Sequence, residues 1–378
     1  MDFTLKNEHC MARERFKEFA ANEVLPLARE IDEAERFPRE SVEKMQKLGL
    51  MGLPIPKEYE GQGYDTLTYV LCIEELSKVC ASTGVILSTH TSLCSDAIYK
   101  FGTKKQKDKY LKPLAAGRKL GAFGLTEPNA GTDAGSQQTE AVLKDDEYVI
   151  NGNKIFITNA KEAEIYIIFA MTDKAKGTKG ISSFIIERDT PGFTFGKQAK
   201  KMGIRGSVSY ELIFDNCRVS KENLLGEEGK GFALAMKILD GGRVGISAQS
   251  LGIATGALEK TIAYVKRREQ FGKPLSKFQN TQFQIAEMAT KVEAARLLVY
   301  KAAVAKDNQM NYTLEASMAK LYASRIANEI TSMAVQLHGG YGYIRDYEVE
   351  RMMRDAKITE IYEGTSEVQK MVIAGMLL

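Results

Sequence analysis

The chain has no tryptophan, only three histidines and eight prolines among its 378 residues, and no CxxC pair of cysteines. Each scarcity removes a class of function. His9, His90 and His338 are too few and too scattered to suggest a metal centre, and Cys10, Cys72, Cys80, Cys94 and Cys217 offer no zinc-type spacing. Five thiols without paired spacing fit a reducing compartment better than a disulfide framework. Lys plus Arg number 52 against 49 Asp plus Glu, with both signs interspersed. That balance provides no basic face for nucleic acid or for an anionic membrane surface. No apolar run approaches a membrane span; Ile165 to Met171 is strand-sized. The start, MDFTLKNEHC, lacks the basic-then-apolar pattern and small-residue cleavage site of a signal peptide. The expectation is a soluble, cytoplasmic protein with no metal, no membrane contact and no nucleic-acid partner.

A chain of this length has room for about two to three domains and a large core. In residues 1–120, Phe16, Phe19, Val24 and Leu25 recur at roughly helical spacing, and Val42, Met45 and Leu48 precede a turn at Gly49. Residues 121–225 change character, with β-rich runs at Tyr148–Ile150, Ile155–Ile157, Ile165–Phe169, Ser183–Ile186 and Tyr210–Phe214. Asn151-Gly152, between two such runs, is the strongest hairpin signal. In residues 226–378 the helical period returns near Phe232–Arg267, Gln279–Asp307 and Leu314–Leu337. The fold class is therefore α+β: a helical domain, an antiparallel β-domain and a helical bundle. Segregated strands and helices do not make a doubly wound sheet. No strand-GxGxxG-helix or GxxxxGK[ST] occurs, and Gly226–Gly231 has glycines without a preceding strand, so it reads as a turn.

Near the end, the stretch IYEGTSE places Glu363 between Tyr362 and Gly364. Apolar surface from Ile361 and Tyr362 would desolvate the carboxylate and raise its pKa toward the value a general base needs. Ser366 and Gln369 have capping-box spacing, so a helix should begin there. Glu363 also reads as an ordinary first-turn acid favoured by the helix dipole. Around Thr126, Gly131, Thr132 and Gly135, small residues would let a flat or phosphorylated ligand approach the backbone, though a plain loop would look the same. Phe156 alternates as a core strand residue. Asp240 and Arg243 would share a helix face as an ion pair worth roughly a few tenths of a kcal/mol. The runs Lys104–Lys109 and Lys197–Lys201 read as solvated faces, with transient docking of an acidic partner as the other option.

Three segments, GAFGLTEPNAGTDAGS (Gly121–Ser136), NGNKIFITNA (Asn151–Ala160) and IYEGTSE (Ile361–Glu367), occur in an order and spacing that resemble the signature segments of the acyl-CoA dehydrogenase family. The resemblance covers nearly the whole chain and points to the short-chain, butyryl-CoA dehydrogenase-like branch. It implies that family's fold, with a C-terminal four-helix bundle, and FAD as cofactor. It implies that Phe123, Leu125, Thr126, Gly131 and Thr132 lie against FAD, with Thr132 also touching CoA. Phe156 would cover one isoalloxazine face, in place of the tryptophan common in relatives, with Ile157 beside it and the Thr158 hydroxyl at N5. Arg268, Gln279, Gln336, Gly339 and Gly340 resemble contacts to the pyrophosphate and adenine end of a FAD held by the neighbouring subunit; an arginine fork suits phosphate. Thr365, Ser366 and Glu367 would adjoin the flavin, Tyr362 and Gly364 the substrate, and Asp240 and Arg243 the CoA end. The implied assembly is a homo-oligomer, usually a tetramer, with the site at a dimer interface. Some branches place their base immediately before that arginine, where this chain has Gly242, so Glu363 is the implied base.

The implied reaction removes an α-proton with Glu363 while the β-hydrogen leaves as hydride to flavin N5, giving a trans-2-enoyl-CoA. Electrons would pass to electron-transfer flavoprotein, or arrive from it if the enzyme works as an enoyl-CoA reductase. The small, polar stretch Cys94–Ala97 falls where relatives close the acyl site. It would admit a longer or aryl-acrylyl group, unless it faces elsewhere. The rivals are an acyl-CoA oxidase, usually a much longer chain, and a catalytically silent flavin- or CoA-binding scaffold.

Overall fold

The computed structural model describes residues 4–378; Met1–Phe3, part of the start segment read for a leader, lie outside the described residues. The first region holds α1 (Asn7–Phe19), α2 (Leu25–Ala34), α3 (Arg39–Lys47) and α4 (Thr66–Val79). It continues with α5 (Ala81–Ser88), α6 (Asp96–Phe101), α7 (Lys104–Gln106) and α8 (Lys112–Ala115). Between α5 and α6 the chain widens into a π-helical stretch, Thr89–Ser95, a distortion that often marks functional sites. Asp65 caps α4 by accepting from Thr68 N–H at 2.8 Å, satisfying one of the orphan donors at the helix start.

Strands follow: β1 (Gly121–Gly124), β2 (Glu140–Lys144), β3 (Glu147–Thr158), β4 (Ile165–Met171), β5 (Ile181–Glu187), β6 (Phe193–Gln198), β7 (Ser209–Ser220) and β8 (Leu224–Leu225). They form one sheet in the order β6-β7-β3-β2-β4-β5-β8, with β1 on β4. The antiparallel reading holds along most of it; β1 is the main exception, running parallel to β4 with Gly121 opposite Ile165. Strand β4 is buried at every residue, which explains its unbroken apolar run. The hairpin expected at Asn151-Gly152 is not there. β3 continues through it, and the chain reverses instead at Asp145-Asp146, with Asp145 at φ +55. Gly152, at φ +140, occupies a bulge in the β3–β7 ladder. A side chain there would strike Thr139, 2.6 Å from its Oγ1, while Asn151 Oδ1 accepts from Asn216 N–H at 2.7 Å. The dipeptide thus fits a bulge between two packed strands.

The last region holds α9 (Gly231–Arg267), α10 (Gln279–Asp307), α11 (Thr313–His338), α12 (Val349–Lys357) and α13 (Ser366–Leu377). Helices α9, α10 and α11 pack against one another, α12 and α13 add to α11, and α4 from the first region packs along α9. That packing is close: a Cβ on Gly252 would sit 2.7 Å from Ser77 Cβ, and one on Gly256 3.0 Å from Lys78 Cα. The two helical regions consequently share one core, with Val70, Ile73 and Leu76 of α4 joined to Val244, Leu251 and Ala254 of α9 and to Ala319 and Ala323 of α11. A second core, including Leu93, Phe123, Ile167 and Ile238, joins the sheet to the helices around it. The candidate site lies where these two cores meet.

Candidate active site

Two backbone irregularities aim side chains into one cavity. In β3 the register with β7 slips between Lys154 and Ile157. Phe156 sits in that slip at φ +59, a conformation costing a non-glycine residue about 1–3 kcal/mol. The bulge turns its ring outward, so Phe156 is 65% exposed instead of lying in the core as strand alternation suggests. The second irregularity is Glu363 at φ +52, followed by Gly364 at φ +91. Helix α13 starts directly after this turn. Its N-cap is Thr365, whose Oγ1 accepts from Val368 N–H at 3.3 Å. The capping box expected from Ser366 is therefore displaced: Ser366 is the first helical residue, and Gln369 lies one step past the box position. Gln369 Nε2 donates instead to the carbonyls of Gly364 and Glu363, at 2.9 and 3.3 Å.

The Glu363 carboxylate is walled by α9 and the π-helical stretch. A Cβ on Gly242 would collide with Oε2 and lie 2.8 Å from Leu93 Cδ2. Oε2 is buried and has no hydrogen-bond partner among the described residues. Burial pushes the Glu363 pKa up to about 7, against the pull of Lys320 and Arg243. Ile361 is not the source of that desolvation, contrary to expectation; it is 49% exposed and faces a different depression. Tyr362 does face the cavity, and its hydroxyl donates to Gln249 Oε1.

The cavity has a volume of about 220 Å³. From the β-domain it receives Phe123, Leu125, Thr126, Gly131 and Thr132, with Phe156, Ile157 and Thr158 from β3; α9 contributes Arg243, and the turn before α13 contributes Tyr362, Glu363 and Gly364. Arg243 is buried and not on a surface face; its Nη1 donates to Asp240 Oδ1 at 2.6 Å, and Asp240 Oδ2 accepts from Thr313 at 2.7 Å. The remaining sequence candidates stand apart. Arg268, Gln336, Gly339 and Gly340 meet in a second depression, where the Arg268 guanidinium lies 5.4 Å from the Tyr341 ring centroid. Thr365, Ser366 and Glu367 line a third, between α11 and α13. Gln279 is exposed at the start of α10, in none of these depressions.

Sequence reasoning missed the support beneath the cavity. Lys154 is fully buried and donates to Glu127 Oε1, Gln137 Oε1 and the Leu125 carbonyl at 2.7, 3.0 and 3.3 Å. Glu127 also accepts from the N–H groups of Gln138 and Thr139; against the upward push of burial, Lys154 first and these donors after it hold its carboxyl below the usual range. This clip fixes the loop carrying Thr126, Gly131 and Thr132. Its only sequence signal is a lysine inside a β-run.

The stretch Cys94–Ala97 does not reach the cavity. Cys94 Sγ donates to the Ile165 carbonyl at 3.8 Å, and Asp96 pairs with Lys100 at 2.9 Å. Thr89 and Leu93 line the cavity in their place. The lysine runs are largely matched by acids: Lys105 with Glu222, Lys109 with Glu187 and Lys200 with Glu35. Among the described residues no group of three His, Cys, Asp or Glu side chains could hold a metal ion, and no helix is long and apolar enough to cross a membrane.

The cavity residues fit FAD. An exposed ring on a bulge offers a face to a flat partner, and among the described residues a Cβ on Gly131 would meet nothing within 4 Å and the buried Glu363 Oε2 and Arg243 Nε have no hydrogen-bond partners. Models of the acyl-CoA dehydrogenase N-terminal, middle and C-terminal domains match residues 6–118, 122–217 and 229–378. The chain is 60% identical to the short-chain specific acyl-CoA dehydrogenase of Clostridium acetobutylicum over 100% of both chains. It superposes on butyryl-CoA dehydrogenase from Megasphaera elsdenii with a TM-score of 0.98 at 51% identity, again covering 100% of both. A structure reported as "Electron transferring flavoprotein of Acidaminococcus fermentans: Towards a mechanism of flavin-based electron bifurcation" gives 0.99 at 55% identity and the same coverage. With all three domain models matched and Glu363, the loop and the bulge gathered around one cavity, the chain belongs to the acyl-CoA dehydrogenase family of FAD-dependent oxidoreductases.

Proposed function

We propose that this enzyme interconverts a short-chain acyl-CoA, butyryl-CoA being the reference substrate, and its trans-2-enoyl-CoA, with Glu363 as the base. One observation carries this reading: the partnerless, buried Oε2 of Glu363, whose proton affinity is near neutrality, at the wall of a cavity that also holds Phe156 and Thr158. The α-hydrogen of a thioester is weakly acidic, so its removal needs a positioned base of matched pKa and donors where enolate charge develops. Glu363 takes the α-proton, and its backbone N–H polarises the thioester carbonyl. Bound FAD would supply the hydride acceptor for the β-hydrogen. Leu125, Thr126, Gly131 and Thr132 would hold it with Phe123, Phe156, Ile157 and Thr158, while Arg243, braced by Asp240, would take the CoA end.

Arg268, Gln279, Gln336, Gly339 and Gly340 lie outside the cavity and would serve a cofactor held by a neighbouring copy; Thr365, Ser366 and Glu367, in the depression between α11 and α13, would adjoin the flavin. Exposed Met371, Leu377 and Leu297 on the bundle support a homotetramer. Electron-transfer flavoprotein is the redox partner, a choice supported by the Acidaminococcus relative, and domain boundaries fall after residues 120 and 225. The protein works in the cytoplasm. Since Cys94–Ala97 face away from the cavity, nothing favours an aryl-acrylyl substrate over a short aliphatic one. Anaerobic titration with butyryl-CoA tests the proposal: the flavin absorption should bleach near stoichiometric substrate, and a flavin left oxidised would refute it.

A further inference from the structure

Lys320 lies in the middle of α11 among the core alanines Ala316, Ala319 and Ala323, and it is fully buried. Burying an ammonium is costly unless it is paired and hydrogen-bonded. A methionine of similar length would pack there without that cost. The ammonium instead donates to the Gly364 carbonyl at 2.7 Å, the carbonyl that also accepts from Gln369. These two donors grip the residue after Glu363, where the backbone passes through consecutive positive φ values.

We propose that Lys320 positions the Glu363–Gly364 turn and, through its charge, sets the pH at which Glu363 becomes a base. This deepens the assignment of Glu363 and rests on it. Charged groups act on the pair from each neighbouring element: Arg243 from α9, Glu360 before the turn and Glu367 in α13 on Lys320, with Glu363 itself. Tyr69 from α4 and Tyr362 also feel the Glu363 charge. Lys320 and Arg243 are the two cations that act on the Glu363 carboxylate. Arg243 is also paired with Asp240, and of the two cations Lys320 exerts the larger pull on Glu363. Burial lowers the Lys320 pKa to about 8, so it remains mostly protonated where Glu363 titrates.

The test is the pH profile of kcat for the flavin-loaded enzyme with butyryl-CoA, comparing wild type, Lys320→Gln, Lys320→Met and Glu363→Gln. Lys320→Gln keeps a donor but removes the charge, so its acid limb should move up by about one pH unit. Turnover on that limb should fall about tenfold, with the plateau and KM retained. Lys320→Met should show the same shift and a lower plateau, because the turn also loses its grip. An acid limb at the wild-type position in both variants would overturn the proposal. So would loss of flavin in both neutral variants with retention in Lys320→Arg, which would mark the lysine as a core support only. Turnover by Glu363→Gln would sink the base assignment itself, whereas an inactive Glu363→Gln beside unshifted lysine variants would sink only the role of Lys320.

Discussion

Gly242 leaves the space that the Glu363 carboxylate occupies: a Cβ on Gly242 would collide with Oε2 and lie 2.9 Å from Cδ. The carboxylate and the glycine, 121 positions apart by their residue numbers, therefore depend on each other. Gly242→Ala should push the carboxylate aside. Displacement of a reacting group by about 1 Å is enough to cost on the order of 100-fold in rate. Steady-state assay should show that loss with flavin content unchanged. Replacing a helical glycine gains up to about 1 kcal/mol of helix propensity, so thermal melting should show no general collapse.

Glu363 makes the enzyme less stable as pH rises. Its carboxyl has a pKa of about 7 in the folded protein against an ordinary 4.5, so between those values the unfolded chain releases a proton that the folded chain keeps. Stability at this group is thus highest below pH 4.5, falls through the interval and levels off above pH 7. Glu363→Gln should melt higher than wild type at alkaline pH, by up to about 3 kcal/mol, with the difference vanishing in acid. Parallel melting curves at all pH values would show that the carboxyl is not desolvated.

Lys154→Met should leave Glu127 as a buried, unpaired charge. Breaking such a pair typically costs about 3–5 kcal/mol, and here the loop carrying Thr126 to Thr132 should loosen as well. Denaturant unfolding and flavin retention should both fall. Adding Glu127→Gln should recover much of the stability, which a simple packing defect would not allow.

Arg268→Ala should weaken flavin binding by roughly tenfold to a hundredfold, the worth of one charge-assisted hydrogen bond to phosphate. Turnover per bound flavin should stay the same, because the Arg268 depression is separate from the cavity. Dialysis followed by absorption measurement distinguishes the two effects.

Long helices were the most legible part of the fold. Expected stretches at Phe232–Arg267, Gln279–Asp307 and Leu314–Leu337 became α9, α10 and α11 with ends shifted by no more than one residue, because their apolar period is set by packing along the whole length. Local signals fared worse. Asn151-Gly152 carries hairpin chemistry, but pairing on both flanks of β3 turned it into a bulge. Ser366 had the spacing of a cap, yet Thr365, also a hydroxyl residue, took the position one step earlier. At the site, Glu363 and the Thr126–Thr132 loop were readable from their segments. Lys154 and Lys320 were not, since a buried lysine looks like any other charge until its acceptors, distant in sequence, are brought beside it.

The most direct measurement is single-turnover reduction of the flavin by butyryl-CoA in wild type and Glu363→Gln, mixed anaerobically at the same flavin occupancy. With Glu363 as the base, the variant should hold flavin and bind the thioester, yet bleach slower by about 1,000-fold or more, within the range that loss of a general base and its geometry accounts for. Bleaching at the wild-type rate in the variant would contradict the assignment and move the base elsewhere in the cavity.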